Sequence, residues 1–233
     1  YGRILAHQGP RTVDNTFVLY NEMLMHIDAS MQECGLLAAV HPVEDVRNAG
    51  DEGEQRMSEF VTELSLSREL YDALASIDTD GADAETVFAL EKELRDFRRA
   101  GVDRSPEERE RISELNAEIT RLGQDWQRNI SDDVREITVE SVLDLEGLPR
   151  DYIENHPPGE DGLIHINTTY PDYIPFMRYA KNAEARERLY LEYNNRAFPA
   201  NLEVLMEVLR KRYELAQLLG YDNYAEYITD DKM

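Results

Sequence analysis

Ser105-Pro106-Glu107-Glu108-Arg109-Glu110-Arg111-Ile112 is the stretch whose reading decides the fold. A serine hydroxyl can accept from a free backbone N–H of a first helical turn, and a glutamate three residues on can return the bond. Proline at the first helical position lacks only an N–H that would have no partner there. The start of a long helix is therefore written into four residues. Downstream, Ile112, Leu115, Ile119, Leu122, Trp126 and Ile130 recur at steps of three and four. That spacing puts one apolar stripe on one face, directed at another helix.

The same period extends in both directions. Phe17, Leu24, Ile27 and Met31 mark a first helix over about 14–39, with Asp14 or Asn15 as its N-cap. Pro42 suits the first turn of a second helix, which reaches Leu66 and can run on to Ile77. Thr79-Asp80-Gly81 signals a turn. Val87, Leu90, Leu94 and Phe97 define a helix over 83–100, ended by Gly101 in a left-handed conformation. The short link to Ser105 makes 83–100 and 105–130 an expected antiparallel hairpin.

The pattern changes in the middle. Glu136-Ile137-Thr138-Val139 and Leu163-Ile164-His165-Ile166-Asn167 read as two short strands pairing in an antiparallel ribbon, with a turn of helix over 151–156 between them. Helices return over 173–181, 183–195, 201–219 and 223–228. Leu202, Leu205, Leu209, Ala216 and Leu219 mark the expected buried face of the last long one. The expected fold is mainly α, an array of antiparallel helices with one small two-stranded ribbon. Three regions are expected: helical 1–135, ribbon and turns 136–169, and helical 170–233.

The bulk composition agrees with a globular chain. Its 233 residues are 42% apolar, enough for one large or two small domains. No apolar run approaches the roughly 20 residues that span a bilayer, so no membrane partner is expected. Tyr1-Gly2-Arg3-Ile4-Leu5 carries no long apolar stretch, so no signal peptide is expected, and a first residue other than Met points to a trimmed piece. The formal charge of −23 repels phosphate backbones, which argues against nucleic acid. The acidity suits solubility first, and attraction of basic peptides second. Only four of the 25 basic residues are lysines, a balance that salt adaptation or genome composition also produces.

Chemistry is scarce. The five histidines, His7, His26, His41, His156 and His165, include no two with three residues between them, so no H-E-x-x-H zinc helix is present. Glu22 and His26 lie one helical turn apart, a spacing read first as a surface hydrogen bond and second as a metal pair. His156 and His165 are read as structural or solvated. Cys34, the single cysteine, is read as a small buried hydrophobe. It fits a reducing compartment, and a cytoplasmic location is expected. There is no G-x-S-x-G elbow, phosphate loop or G-x-G-x-x-G fingerprint. Among 13 tyrosines, Tyr170, Tyr173, Tyr179, Tyr190, Tyr193, Tyr213, Tyr221, Tyr224 and Tyr227 cluster late in the chain. They suit interhelical packing, the favoured reading, or the wall of a peptide groove.

Several ordered stretches resemble one family. Tyr170-Pro171-Asp172-Tyr173-Ile174-Pro175 looks like the YPDY-P stretch of thimet oligopeptidase-like zinc peptidases, a group that includes oligopeptidase F and dipeptidyl carboxypeptidases. The run Arg186 to Asn195, followed by Arg196-Ala197-Phe198-Pro199-Ala200-Asn201-Leu202, resembles the family's R-x-x-P-x-N passage. Leu218-Leu219-Gly220-Tyr221-Asp222-Asn223-Tyr224-Ala225-Glu226-Tyr227, closed by Asp231-Lys232-Met233, is similar to its LLGY…DKM passage. ELSLSRELYDAL near 60–73 and LRDFRRAG over 94–101 add to the match. The resemblance implies an almost wholly helical fold with a deep channel between two lobes. It also implies zinc in the parent protein, held by a downstream helix whose glutamate is the general base. This chain is then expected to bind no zinc, to supply no catalytic and no metal-ligating residue, and to form one wall of the channel, with its substrate-binding residues unknown. Its expected partners are a C-terminal catalytic region of the same protein and short peptides as substrate. The alternative is a stand-alone acidic helical binding or scaffold module without enzymatic activity.

Overall fold

The computed structural model describes residues 1–232, of Asp231 the backbone alone; Met233 of the DKM passage lies outside the described residues. In chain order the elements are α1 (Gly2–Leu5), β1 (Arg11–Thr12), a π-helical turn (Val13–Phe17), α2 (Val18–Val40), α3 (Glu44–Ser65), α4 (Arg68–Ala75) and β2 (Ile77–Asp78). Then come α5 (Ala84–Ala100), α6 (Pro106–Asp132), β3 (Glu136–Val139), α7 (Arg150–Asn155) and β4 (Ile164–Asn167). The chain continues with α8 (Tyr170–Tyr179), α9 (Ala183–Asn194), α10 (Ala200–Leu219) and α11 (Tyr224–Thr229). The mainly α expectation holds.

The capping chemistry sets most helix starts. The Glu108 N–H donates to Ser105 Oγ at 3.2 Å and the Ser105 N–H to Glu108 Oε2 at 2.9 Å, closing the box at the head of α6. Asp83 and Asn223 cap α5 and α11 by accepting from the Thr86 and Glu226 N–H groups. Gly101 ends α5 at φ 102°, in the left-handed region. Three expected starts are corrected. Thr12, rather than Asp14 or Asn15, caps the first helix: its hydroxyl accepts from the Asn15 N–H and the Asn15 side chain accepts from the Thr12 N–H. The second helix ends at Ser65, near Leu66 as expected, and does not run on to Ile77, because the Ser67 hydroxyl accepts from the Leu70 N–H and starts α4 there. Pro42 precedes the N-cap Val43 instead of opening the helix. α8 starts at Tyr170, three residues before the expected 173, and carries both Pro171 and Pro175.

The ribbon forms where expected, antiparallel, with Glu136 opposite Asn167 and Val139 opposite Ile164. The single-ribbon expectation is corrected by a second pair. β1 and β2 run parallel, with Arg11 opposite Ile77 and Thr12 opposite Asp78. Two-residue strands are too short to show an alternation of apolar and polar positions.

The chain gathers into two units: Tyr1–Gln124 with Glu207–Met233, and Asp125–Met206. In the first, Ile4, Tyr20, Ile27, Leu70, Leu74 and Phe97 anchor one core. The Tyr20 hydroxyl donates to Glu93 Oε2 at 2.9 Å, tying α2 to α5, and burial followed by the Glu93 charge pushes its pKa up. α2 and α3 approach closely, because a Cβ on Gly50 would stand 2.7 Å from the Ala38 nitrogen and 2.8 Å from the Cys34 oxygen. A second cluster in the same unit joins Leu66, Ile112, Leu115, Leu215 and Leu219. The buried part of the α6 stripe therefore packs with α10, while Leu90 and Phe97 of α5 go to the other core. Arg111 pairs with Glu214 at 2.6 Å and Lys211 with Glu118 at 2.5 Å along the same two helices.

The other unit is built on Ile164, Ile166, Phe176 and Leu189, all fully buried, with Leu145 and Ala185. One helix face departs from expectation. Ala216 and Leu219 of α10 are buried, but Leu202, Leu205 and Leu209 are exposed at 51%, 39% and 51%. The reason is that the neighbours of this helix cover only one of its edges.

Candidate functional site

The sequence stretches with the most chemistry meet in the unit Asp125–Met206. Asp133, just beyond α6, accepts from the Ala197 N–H at 2.7 Å and pairs with Arg135 at 2.9 Å. Those two donors, Arg135 first, hold its carboxyl below the usual range. Ala197 is buried and sits at φ 60°, a left-handed conformation that side chains disfavour. Arg196 lies with its guanidinium 4.0 Å from the centroid of the Tyr193 ring, and Tyr193 stacks on Tyr173 at 3.7 Å and 15°. Tyr170 meets Tyr193 edge-on at 6.4 Å. Asn201 is buried at the head of α10; its amide donates to the Trp126 carbonyl at 3.1 Å, and its oxygen accepts from Asn129 at 2.9 Å. Ala197 and Asn201 thus anchor the loop to the end of α6, while Arg196 stays on Tyr193 of α9.

Asp172 anchors a second network. Its carboxylate accepts from the Asn167 N–H at 3.2 Å and stands 3.2 Å from His156 Nε2, while His156 Nδ1 lies 2.7 Å from the Tyr152 carbonyl. The Tyr152 ring stacks on His156 at 4.1 Å, and its hydroxyl donates to the Asp172 carbonyl at 3.1 Å. Burial, then the nearby Asp172 charge, pushes the Tyr152 pKa up. α7, β4 and α8 are joined through these groups. This carboxylate–histidine contact is engaged in holding three elements together.

His165 makes a different contact. Its Nδ1 lies 2.9 Å from Glu136 Oε1 across the ribbon, and its Nε2 lies 3.0 Å from Asp161 Oδ2 in the turn. Two carboxylates only accept, so the doubly protonated ring alone makes both bonds. The Glu136 and Asp161 contacts, in that order, raise the His165 pKa above its usual 6.5. Asp161 is lowered, chiefly by the Leu163 N–H and then by His165. A raised histidine contributes stability that is fully present below about 6.5 and lost as pH rises through the folded value. The lowered Asp161 contributes above the ordinary carboxylate range and loses its part as pH falls through its own folded value. The turn over 157–163 is therefore expected to be held best between the two. NMR titration of the His165 ring should give a midpoint above 6.5 that falls in Glu136→Gln; an unperturbed midpoint unmoved by that change would refute the bridge.

The remaining candidates are placed plainly. Glu22 and His26 are both exposed and rim an open hollow of about 420 Å³ with Tyr1, Ile4, Met57 and Phe60. Cys34 is half-buried, and a Cβ on Gly53 would stand 2.6 Å from its sulfur, so it fills a close helix crossing. Tyr221, Tyr224 and Tyr227 pack together, with Arg99 over Tyr227 and Arg212 over Tyr224. Tyr170, Tyr179, Tyr190 and Tyr213 remain exposed. Sequence reasoning passed over Asp133 and Asn129, whose partners lie far along the chain; only the polar break after the α6 stripe hints at them.

Residues 176–233, from within α8 to the tail, match the model of Peptidase family M3. The chain is 28% identical to the thimet-like oligopeptidase of Dictyostelium discoideum over 226 residues, covering 93% of this chain and 33% of that protein. It is 32% identical to mitochondrial intermediate peptidase 2 of Cryptococcus neoformans, covering 86% of this chain and 25% of that protein. Oligopeptidase A of Haemophilus influenzae is 30% identical, with 76% of this chain and 29% of that protein covered.

The chain belongs to peptidase family M3.

This M3 chain spans about a third of the length of the curated relatives it matches. A family of zinc peptidases raises the question of whether the donors present here fit the metal. Zinc takes four donors converging at about 2.0–2.3 Å. The two nitrogens of His165 point to carboxylates on opposite edges of its ring, and both ring nitrogens of His156 face acceptors. Among the described residues, no three histidine, cysteine or acidic side chains converge on one point. With their nitrogens turned to these acceptors, His156 and His165 do not fit a zinc site.

Proposed function

We propose that residues 1–233 form the non-catalytic, helical portion of a zinc-dependent oligopeptidase that hydrolyses short peptides, and that they make one wall of its substrate channel. The observation that carries this reading is family membership over most of the chain, combined with coverage of only a quarter to a third of each relative's length. The site geometry supports it. The motif residues Asp172, Arg196 and Asn201 act as anchors, and their polar groups are engaged with neighbouring side chains and backbone. Zinc, the general base and the reacting peptide belong, in this proposal, to the part of the parent outside these residues. So does the principal partner, a catalytic region of the same polypeptide. No helix among the described residues is long and apolar enough to cross a membrane. A cytoplasmic location and the lack of a nucleic-acid partner are parts of the proposal, the latter supported by the net charge of −23.

A quenched fluorescent peptide of about ten residues tests it, together with equilibrium dialysis against zinc. The 233-residue chain is expected to retain no stoichiometric zinc and to give no turnover above zinc alone. A longer polypeptide containing it should cleave the peptide and lose that activity to a chelator. Chelator-sensitive cleavage by the 233-residue chain alone would overturn the reading. An inactive longer polypeptide would favour the stand-alone binding or scaffold module.

A further inference from the structure

Leu202, Leu205, Met206, Leu209 and Tyr213 follow one another along α10 at steps of three, one, three and four, and so share one face of a single helix. All five are exposed, Met206 and Tyr213 at 61% and 56%. Leu215 and Leu219 of the same helix are buried on the adjacent edge. α10 is therefore apolar beyond the edge that this chain covers. Burying such side chains away from water is favourable. A contiguous stripe of five on one helix is the form that a helix-binding face takes.

Two observations choose the occupant. A second copy would bring another −23 charges against the same sign, which opposes close self-association. The relatives carry two thirds or more of their length outside the region this chain covers, enough for many apolar helices. We propose that the Leu202–Tyr213 face of α10 seats an apolar helix face from the part of the parent polypeptide outside residues 1–233. This rests on the reading of the chain as one portion of a longer M3 peptidase, and it names the surface through which that portion is joined to the rest.

Met206 reports on the face without any substitution. Dilute hydrogen peroxide converts an accessible methionine to its sulfoxide, and peptide mass spectrometry reads the rate at each position. With free methionine in the mixture as a clock, Met206 and Met25, exposed at 61% and 64%, should oxidise at similar rates in the 233-residue chain. In the longer polypeptide, Met206 should slow at least tenfold. A smaller slowing overturns the proposal. Protection of Met206 in the 233-residue chain itself, rising with concentration alongside a doubled sedimentation mass, makes the occupant a second copy and also overturns it. Peptide hydrolysis by the same longer polypeptide is read in parallel. An active enzyme with an unprotected Met206 sinks the docking face and leaves the peptidase reading standing. Protection in a polypeptide that cleaves nothing does the reverse.

Discussion

Gly147→Ala is expected to destabilise the unit Asp125–Met206 by roughly 2–6 kcal/mol, from a positive-φ cost of about 1–3 and an overpacking cost of about 1–3. Gly147 sits at φ 98°, and a Cβ built there runs into the Tyr179 carbonyl oxygen at the end of α8. The neighbouring backbone holds the approach in place, because the Lys181 N–H donates to the Glu146 carbonyl at 2.8 Å and the Lys181 side chain pairs with Glu146 at 2.8 Å. A backbone oxygen cannot rotate away as a side chain can, so relief requires α8 to shift. Gly162 separates the two contributions. It also has positive φ, at 77°, but nothing lies within 4 Å of its added Cβ. Gly162→Ala should therefore lose only about 1–2 kcal/mol, the conformational part. Urea unfolding followed by hydrogen exchange at Ile164 and Ile166 measures both. Equal losses in the two variants would show that the close approach is absent.

Phe176→Ala should cost about 3–5 kcal/mol, the range for removing a buried aromatic ring. Phe176 is fully buried among Ile164, Ile166 and Leu189, where the ribbon, α8 and α9 meet. The ring is the largest fully buried side chain in the chain's cores, and its removal leaves a cavity that three elements would have to move to close. Ile174 on the same helix is 47% exposed, and its alanine variant should fall within about 0.5 kcal/mol of wild type. A loss below about 1 kcal/mol at Phe176 would mean that α8 is not packed as described.

The contrast between these positions and their sequence signals shows what could be read in advance. Ser105, Asp83 and Asn223 act through partners three residues away, so their caps were visible in the chain itself. Thr12 and Ser67 use the same local chemistry, but Asp14 and Asn15 compete with Thr12 as caps, and the apolar period runs on past Ser67 to Leu70 and Leu74. The β1–β2 pair joins residues 66 positions apart over two residues each, too little for any pattern. Function was legible only through ordered resemblance. Asp172 was quoted for the family stretch it sits in, yet its bonds to Asn167 and His156 depend on how α7, β4 and α8 pack. Asp133 could not be found at all, because its partner Ala197 lies 64 residues on. The α10 stripe was read correctly as apolar, and its expected burial holds at Ala216 and Leu219 but not at Leu202, Leu205 and Leu209. Periodicity reports which face is apolar, and it says nothing about whether the covering element lies within the same stretch of chain.

The central claim is that catalysis resides outside these residues, and the reading frame beyond codon 233 tests it most directly. The expected result is a frame that continues for several hundred residues and contains H-E-x-x-H on an apolar-periodic helix, with a later glutamate as a further ligand. A frame that stops close to residue 233, or continues without that motif, would contradict the account and leave a stand-alone acidic helical module in its place.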